Sequence, residues 1–380
     1  MNNEMRKEGK NRQSTAFIVS AALALVLLLG LPVLFDAVRE KGEQEEEKMS
    51  GFLSGPLRER MEADSLIVAA SVSLLECGSG NTPHSALLAR FGDKKEIKNI
   101  AYDIDRVPVV PGGMMQAPTL TFFMDRKFTH PVRKIPTRHG IIPEIPEDSE
   151  IHQDSHILSY EMTTGKDSIS VEEGFLMSSR YVAARIALDN EWYWREYIDR
   201  FVDYFGASDA YYVPRMWDRF LFRDEYVSVV DGHGLHLSQG QILTFYDAIA
   251  NGGVRARHRY LRRRSVCSVE TADGMKALLR ENVLSGTGVL LSSHPARIAG
   301  KTGSGILRHG YVPGLVRSSV PEPVSVSSFV GFFPVEDPQY TMMVTFYLRS
   351  GGQPTGAAVT MHVFGEITDK MMEEGMLWKK

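Results

Sequence analysis

The sequence predicts an α+β fold, with an antiparallel sheet formed by both chain ends and a helical subdomain between them. Three observations lead to it. First, β-branched and apolar runs sit toward both ends: SLIVAASVSLL at Ser65 to Leu75, SSFVGFF at Ser327 to Phe333 and YTMMVTFYL at Tyr340 to Leu348. Such runs fit a pleated, buried surface. Second, the middle holds two capping boxes, each opening an apolar pattern of helical period. Third, Val359, Phe364, Ile367 and Met371 share one face of a last helix placed to pack on the sheet.

Taken in order, Ser65 to Leu75 is the first buried strand, and Ser85 to Phe91 is its partner. Ser170-Val171-Glu172-Glu173 opens a helix toward Met177. Tyr181 to Leu188 and Trp192 to Phe205 continue the helical pattern. Ser238-Gln239-Gly240-Gln241 opens another helix, whose face carries Ile242, Tyr246 and Ile249 and which stops at Asn251-Gly252-Gly253. Pro334 to Gln339, with Asp337-Pro338 as turn material, joins the two C-terminal strands.

With 380 residues, 43% hydrophobic and 24% charged, the composition is that of an ordinary globular protein. A net charge of -4 gives no nucleic-acid footprint. Cys77 and Cys267 make no metal pattern, and no metal or cofactor is expected. In an oxidising compartment they allow one disulfide; two unpaired thiols is the favoured reading.

Thr15 to Phe35 is an uncharged run of 21 residues. At about 1.5 Å per residue it spans a hydrocarbon core of roughly 30 Å. A cleaved signal peptide is the competing reading, but its apolar region is shorter and ends at a small-residue site. Arg6, Lys7, Lys10 and Arg12 precede the run, which sets the N-terminus in the cytoplasm. The expected organisation is a cytoplasmic tail at 1–14, a single-pass helix at 15–35, a charged linker at 36–60 and an extracytoplasmic domain at 61–380.

The chemistry centres on Lys301-Thr302-Gly303-Ser304. A lysine on a strand edge supplies charge, and the Thr302 and Ser304 hydroxyls donate hydrogen bonds to a carboxylate. Gly303 is expected to let a ligand lie close to the backbone. No lysine in the chain has a serine three residues before it. His139 and His233 have no adjacent nucleophile, and Cys77 has no evident base. Trp192, Trp194 and Trp217 read as core or rim packing. The run from Arg255 to Arg264 reads as a solvated loop, or as a surface for anionic wall polymer or phospholipid headgroups.

Several motifs in chain order resemble those of class B penicillin-binding proteins, in the transpeptidase domain they share with serine β-lactamases. Val110-Pro111-Gly112-Gly113 is similar to the entry to the family's nucleophile helix. Met177-Ser178-Ser179-Arg180 is similar to its SSN turn, Gly232 through Gly253 to its ANGG segment, and Gly286-Thr287-Gly288 through Lys301-Thr302-Gly303 to its KTG approach. Ser328 to Pro334 is similar to its SFVGFAP strand. The resemblance covers about Ser65 to Phe364 and implies a penicillin-binding-protein/β-lactamase-like fold.

The departures define the expected function. Gly113 falls in the serine position, Gln116 in the lysine position and Arg180 in the asparagine position. Glycine cannot attack a carbonyl, a glutamine amide is no proton acceptor, and a guanidinium does not shuttle protons. No catalytic residue is therefore expected. Ser178, Arg180, Lys301, Thr302, Gly303 and Ser304 are the expected cleft, binding a carboxylate. The resemblance implies a non-catalytic binding or scaffold protein of the cytoplasmic membrane. Its partners would be cell-wall synthesis or division membrane proteins, or a peptidoglycan stem peptide. The family's pedestal domain has no counterpart in the short stretch between Phe35 and Met61. The alternative is an active serine D,D-transpeptidase or carboxypeptidase, with Ser178 or Ser179 as relocated nucleophile. A hydroxyl or thiol with a neutralisable amine beside it, within bonding reach of the Lys301 strand, would overturn the non-catalytic reading.

Overall fold

The computed structural model describes residue 44 and residues 46–91, 96–100, 108–145, 155–205, 223–256, 263–307, 323–349 and 356–378. The chain divides into two compact units, Met1–Phe52 and Leu53–Lys380. Of the first, residues 44 and 46–52 are described, and they are helical. The run Thr15–Phe35 lies outside the described residues. Among those described, no helix is long and apolar enough to cross a membrane.

The second unit opens with a helix at residues 53–63 (α1), ahead of the expected start at Met61. Leu53, Leu57 and Met61 recur every four residues and are fully buried, which commits this face to the domain. Arg90 donates to the carbonyls of Met61 and Asp64, so a guanidinium satisfies the end of this helix.

The strands β1 (Ile67–Glu76), β2 (His84–Phe91) and β3 (Glu96–Asn99) come next. After a short β4 (Pro108–Val109), helix α2 (Gln116–Asp125) leads to β5 (Lys134–Pro136), α3 (Ser155–Thr164) and β6 (Ser168–Ser170). Then follow α4 (Val171–Leu176), α5 (Arg180–Leu188), α6 (Trp194–Phe205) and α7 (Arg223–Val230). A two-residue β7 (Leu237–Ser238) precedes α8 (Gln239–Ala250). The strands β8 (Val254–Arg255) and β9 (Arg264–Ser265), then α9 (Val269–Ser285), lead to β10 (Ala299–Leu307), β11 (Val324–Phe333), β12 (Tyr340–Arg349) and α10 (Gly356–Glu373).

The main sheet has six strands in the order β10-β11-β12-β1-β2-β3, with antiparallel pairing throughout. Both chain ends therefore close one sheet, as the sequence predicts. The join is β1 against β12, where Val72 faces Val344 and Leu74 faces Met342. Both capping boxes form: Ser170 with Glu173, and Ser238 with Gln241. Val359, Phe364, Ile367 and Met371 of α10 are all buried, and Phe364 packs edge-on against Phe329 at 4.8 Å and Phe333 at 5.7 Å.

Two expectations change. Trp192 is not packing material: it stands 80% exposed in a tight turn ahead of α6, while Trp194 is partly buried. Trp217 lies outside the described residues. The ends of the arginine run are tied to the fold, because Arg255 donates to the Asp203 carbonyl at 2.6 Å and Arg264 pairs with its carboxylate at 2.9 Å. Residues 257–262 lie outside the described residues. Cys77 and Cys267 are free thiols; burial pushes Cys77 up and Cys267 to about 12, so neither is a thiolate at neutral pH.

Candidate functional site

The site forms where the start of α2, the turn between α4 and α5, and the outer edge of β10 converge. Glycine makes the convergence possible. A Cβ on Gly303 would lie 2.2 Å from the Pro111 carbonyl oxygen and 2.7 Å from the Met114 side chain. The neighbour that needs Gly303 bare is therefore the protein's own chain rather than a ligand.

Gly113 faces the centre of the site. A Cβ built on it would point at Ser178 Oγ, 2.5 Å away, with Lys301 Nζ at 3.6 Å. The position that the resemblance assigns to a nucleophile thus faces the centre of the site and carries no side chain. The Ser178 hydroxyl occupies the space that such a side chain would need.

The turn that holds Ser178 is built locally. The Ser179 amide donates to Gly174 O and the Ser178 amide to Phe175 O, the paired bonds of a Schellman helix end. In that motif Ser178 takes the left-handed position, at φ +62. Glycine is usual there, and a side chain costs on the order of 1 kcal/mol. Ser179 then caps α5, accepting from the Val182 amide at 3.2 Å. Gln116 braces the same turn, its Nε2 donating to Ser179 O at 3.1 Å. Its Oε1 is buried without a hydrogen-bond partner.

Lys301 is completely buried. Its ammonium donates to Ser178 Oγ at 2.6 Å and to Thr287 Oγ1 at 3.4 Å, and lies 5.4 Å from the centre of the Phe175 ring. Burial disfavours the charged form and pushes this amine down to about 7. Thr302 Oγ1 also donates to Thr287 Oγ1, at 2.8 Å. Thr287 in turn donates to Asn282 Oδ1 at 3.2 Å, and Asn282 Nδ2 donates to the Gly300 carbonyl at 2.9 Å. Ser304, two residues beyond Thr302, points into solvent.

Arg180 is committed elsewhere. Its Nε donates to Asp231 Oδ2 at 2.7 Å, and the Asp231 side chain has no exposure at all. The His233 amide donates to the other oxygen of Asp231 at 3.0 Å. A buried carboxylate holds this guanidinium, so Arg180 serves the fold before any ligand.

The structure therefore brings Gly113, Gln116, Ser178, Lys301, Thr302 and Gly303 together, with Arg180 and Ser304 on the flanks. Three further residues, Asp231, Thr287 and Asn282, were missed. The sequence shows Thr287 only as part of a glycine-flanked approach to the strand, and no local signal marks the other two. One expectation is corrected. The site does hold a hydroxyl beside a neutralisable amine, since Ser178 Oγ meets Lys301 Nζ at 2.6 Å. Of the two histidines, His139 pairs with Glu161 at 2.7 Å and is exposed, and His233 lies 3.3 Å from Asp231. Among the described residues, no cluster of histidine, cysteine and carboxylate side chains could hold a metal.

With this geometry established, comparison with known proteins is informative. The family described as penicillin binding protein transpeptidase domain matches residues 143–369. No curated protein matches the chain. Among solved structures, the transpeptidase domain of Burkholderia pseudomallei penicillin-binding protein 3 is 19% identical. The match covers 87% of this chain and 95% of that one, with a TM-score of 0.64. A Burkholderia ambifaria peptidoglycan glycosyltransferase is 20% identical, with 87% and 96% covered and a TM-score of 0.61. A Bifidobacterium adolescentis peptidoglycan synthetase is 14% identical, with 87% and 60% covered and a TM-score of 0.63. At such identities these neighbours establish the fold alone.

Proposed function

The chain belongs to the penicillin binding protein transpeptidase domain family, and from that premise we propose that it is a non-catalytic member acting as a binding or scaffold partner in peptidoglycan synthesis or cell division. One observation supports the proposal: Gly113, which the resemblance puts at the nucleophile position, faces Lys301 and Ser178 and has no side chain. Loss of a serine nucleophile costs on the order of a million-fold in kcat. The surface left for a ligand consists of Ser178, Ser304 and the edge of Arg180, with Lys301 beneath them. We propose that an anionic group, such as a peptide carboxylate, docks there and draws on the Lys301 charge once Ser178 swings aside. We further propose that residues 15–35 anchor the chain in the cytoplasmic membrane, with the N-terminus inside and the domain outside.

A second reading rests on the Ser178–Lys301 contact. An amine pushed to about 7 is half neutral at neutral pH and can accept the proton of the hydroxyl it touches. Ser178 Oγ would then add to an acyl carbonyl, and the proton would pass through Lys301 to the leaving nitrogen as the C–N bond breaks. The physical objection is that one amine has two duties. It must be protonated to hold a carboxylate and neutral to act as base, and a bound carboxylate favours the protonated form. A second lysine would separate these duties, and Gln116 stands where the family resemblance puts it.

Intact mass measurement after incubation with a β-lactam separates the readings. The scaffold reading expects no covalent adduct on the full chain. A stable mass increase that disappears in Ser178→Ala would overturn it and establish Ser178 as the nucleophile.

A further inference from the structure

A second polar site lies outside the cleft. A cavity of about 210 Å3 opens between β5, the turn that follows it and α5. Arg133, Lys134, Arg138 and Arg185 line it, together with Tyr181 and Asp189. Asp189 is shared: its two oxygens take Arg133 at 2.6 Å and Arg185 at 2.6 Å. Arg185 also pairs with Glu144 at 2.6 Å, and Lys134 with Glu173 at 3.1 Å. Four cations thus face three carboxylates. Lys166, 3.9 Å from Glu173, adds further positive charge.

The unbalanced charge is Arg138. It is exposed, and among the described residues it makes no ion pair. Its position above the cavity shows in its effect on Glu144. Burial works to raise that carboxyl, yet it lies below the usual carboxylate range, because Arg185 bonds it and Arg138 adds positive charge. The backbone that presents Arg138 is unusual. Arg138, His139 and Gly140 are all left-handed, at φ +44, +54 and +71. Glu161 holds this turn, accepting from Thr137 Oγ1, from the His139 amide at 3.2 Å and from His139 Nδ1 at 2.7 Å. A strained turn clamped by a dedicated carboxylate is one that the surrounding structure over-determines.

We propose that this cavity binds a phosphate-type oxyanion, with the Arg138 guanidinium as its principal donor and Lys134 and Arg133 beside it. Guanidinium forks match tetrahedral oxyanions with paired, charge-assisted hydrogen bonds, and each neighbouring cation favours the anion further. The low exposure of Arg185, 12% for its side chain, keeps one wall of the site poorly solvated and the local field strong. This site is independent of the cleft and does not rest on its reading.

The test is calorimetric titration of the full chain with inorganic phosphate, at constant ionic strength held by chloride. Arg138→Gly removes the charge while suiting the left-handed backbone, so folding is preserved and the thermal midpoint stays level or rises. The expected result is saturable phosphate binding weakened at least tenfold by that variant. Lys127→Gly is the matched control, an exposed cation at φ +60 that does not line the cavity, and it should bind like the parent. Absence of saturable binding at millimolar phosphate, equal binding by Arg138→Gly, or equal loss in Lys127→Gly would each overturn the proposal.

Discussion

At the scale of single residues, Lys301 carries the most consequential chemistry. Among the described residues, hydroxyl oxygens and a ring face are what this unexposed ammonium meets, and burial lowers its proton affinity from the ordinary 10.5 to about 7. The linkage has a definite sign. Between those two values the unfolded chain holds a proton that the folded chain lacks, so folding stability rises with pH across that window. Below about 7 both states are protonated and the burial penalty is full. Lys301→Met removes the titration. Urea unfolding at about pH 6.5 and about pH 9.5 is expected to show a gain for the variant that is about 3 kcal/mol larger at the lower pH. An equal gain at both pH values would mean that Lys301 keeps its ordinary proton affinity in the fold. Arg180 teaches the complementary lesson. In the sequence it is a free cation in a cleft motif, whereas in the fold a buried carboxylate 51 residues away has claimed it.

At the scale of elements, local signals were reliable wherever the physics is local. The Ser170 and Ser238 capping boxes close within four residues, and both form with reciprocal bonds. The sequence pattern starts α6 two residues early, because Glu191 to Tyr193 form a separate tight turn with Trp192 in solvent. A propensity pattern does not distinguish that turn from the helix it precedes. Helix α10 shows how an element is fixed by packing. Phe364 is fully buried between Phe329 and Phe333 of β11, so Phe364→Ala leaves a cavity beneath the sheet. A loss of about 3–4 kcal/mol is expected in chemical denaturation. A change near zero would show that α10 is not docked on the sheet.

At the scale of the whole molecule, the sheet is closed by strands separated by most of the chain, β1 pairing with β12 from Ile67–Leu348 to Glu76–Tyr340. Contacts of such separation slow folding, because the entropy of closing the chain is spent before they form. Removing β12 and α10 exposes the edges of both β1 and β11 and uncovers the apolar face under Phe329. A chain ending before Tyr340 is expected to lose its cooperative thermal transition and to bind a hydrophobic dye such as ANS. A sharp transition retained by that truncation would show that the N-terminal strands and the helical layer form an independent folding unit. The same long-range closure puts Lys301 Nζ 2.6 Å from Ser178 Oγ with Gly113 facing both, although Lys301 lies 123 residues beyond Ser178.

The sequence alone determined the long strands near both chain ends, the two capping boxes at Ser170 and Ser238, and that position 113 holds no attacking group. These follow from periodicity, short-range hydrogen bonding and residue chemistry, all carried by neighbours in the chain. The tertiary structure alone decided that the Ser178 hydroxyl fills the vacant space, that Lys301 is buried far enough to titrate near neutrality, and that Arg180 answers to Asp231. Desolvation and through-space charge pairing depend on which distant segments pack together, and no local pattern encodes that.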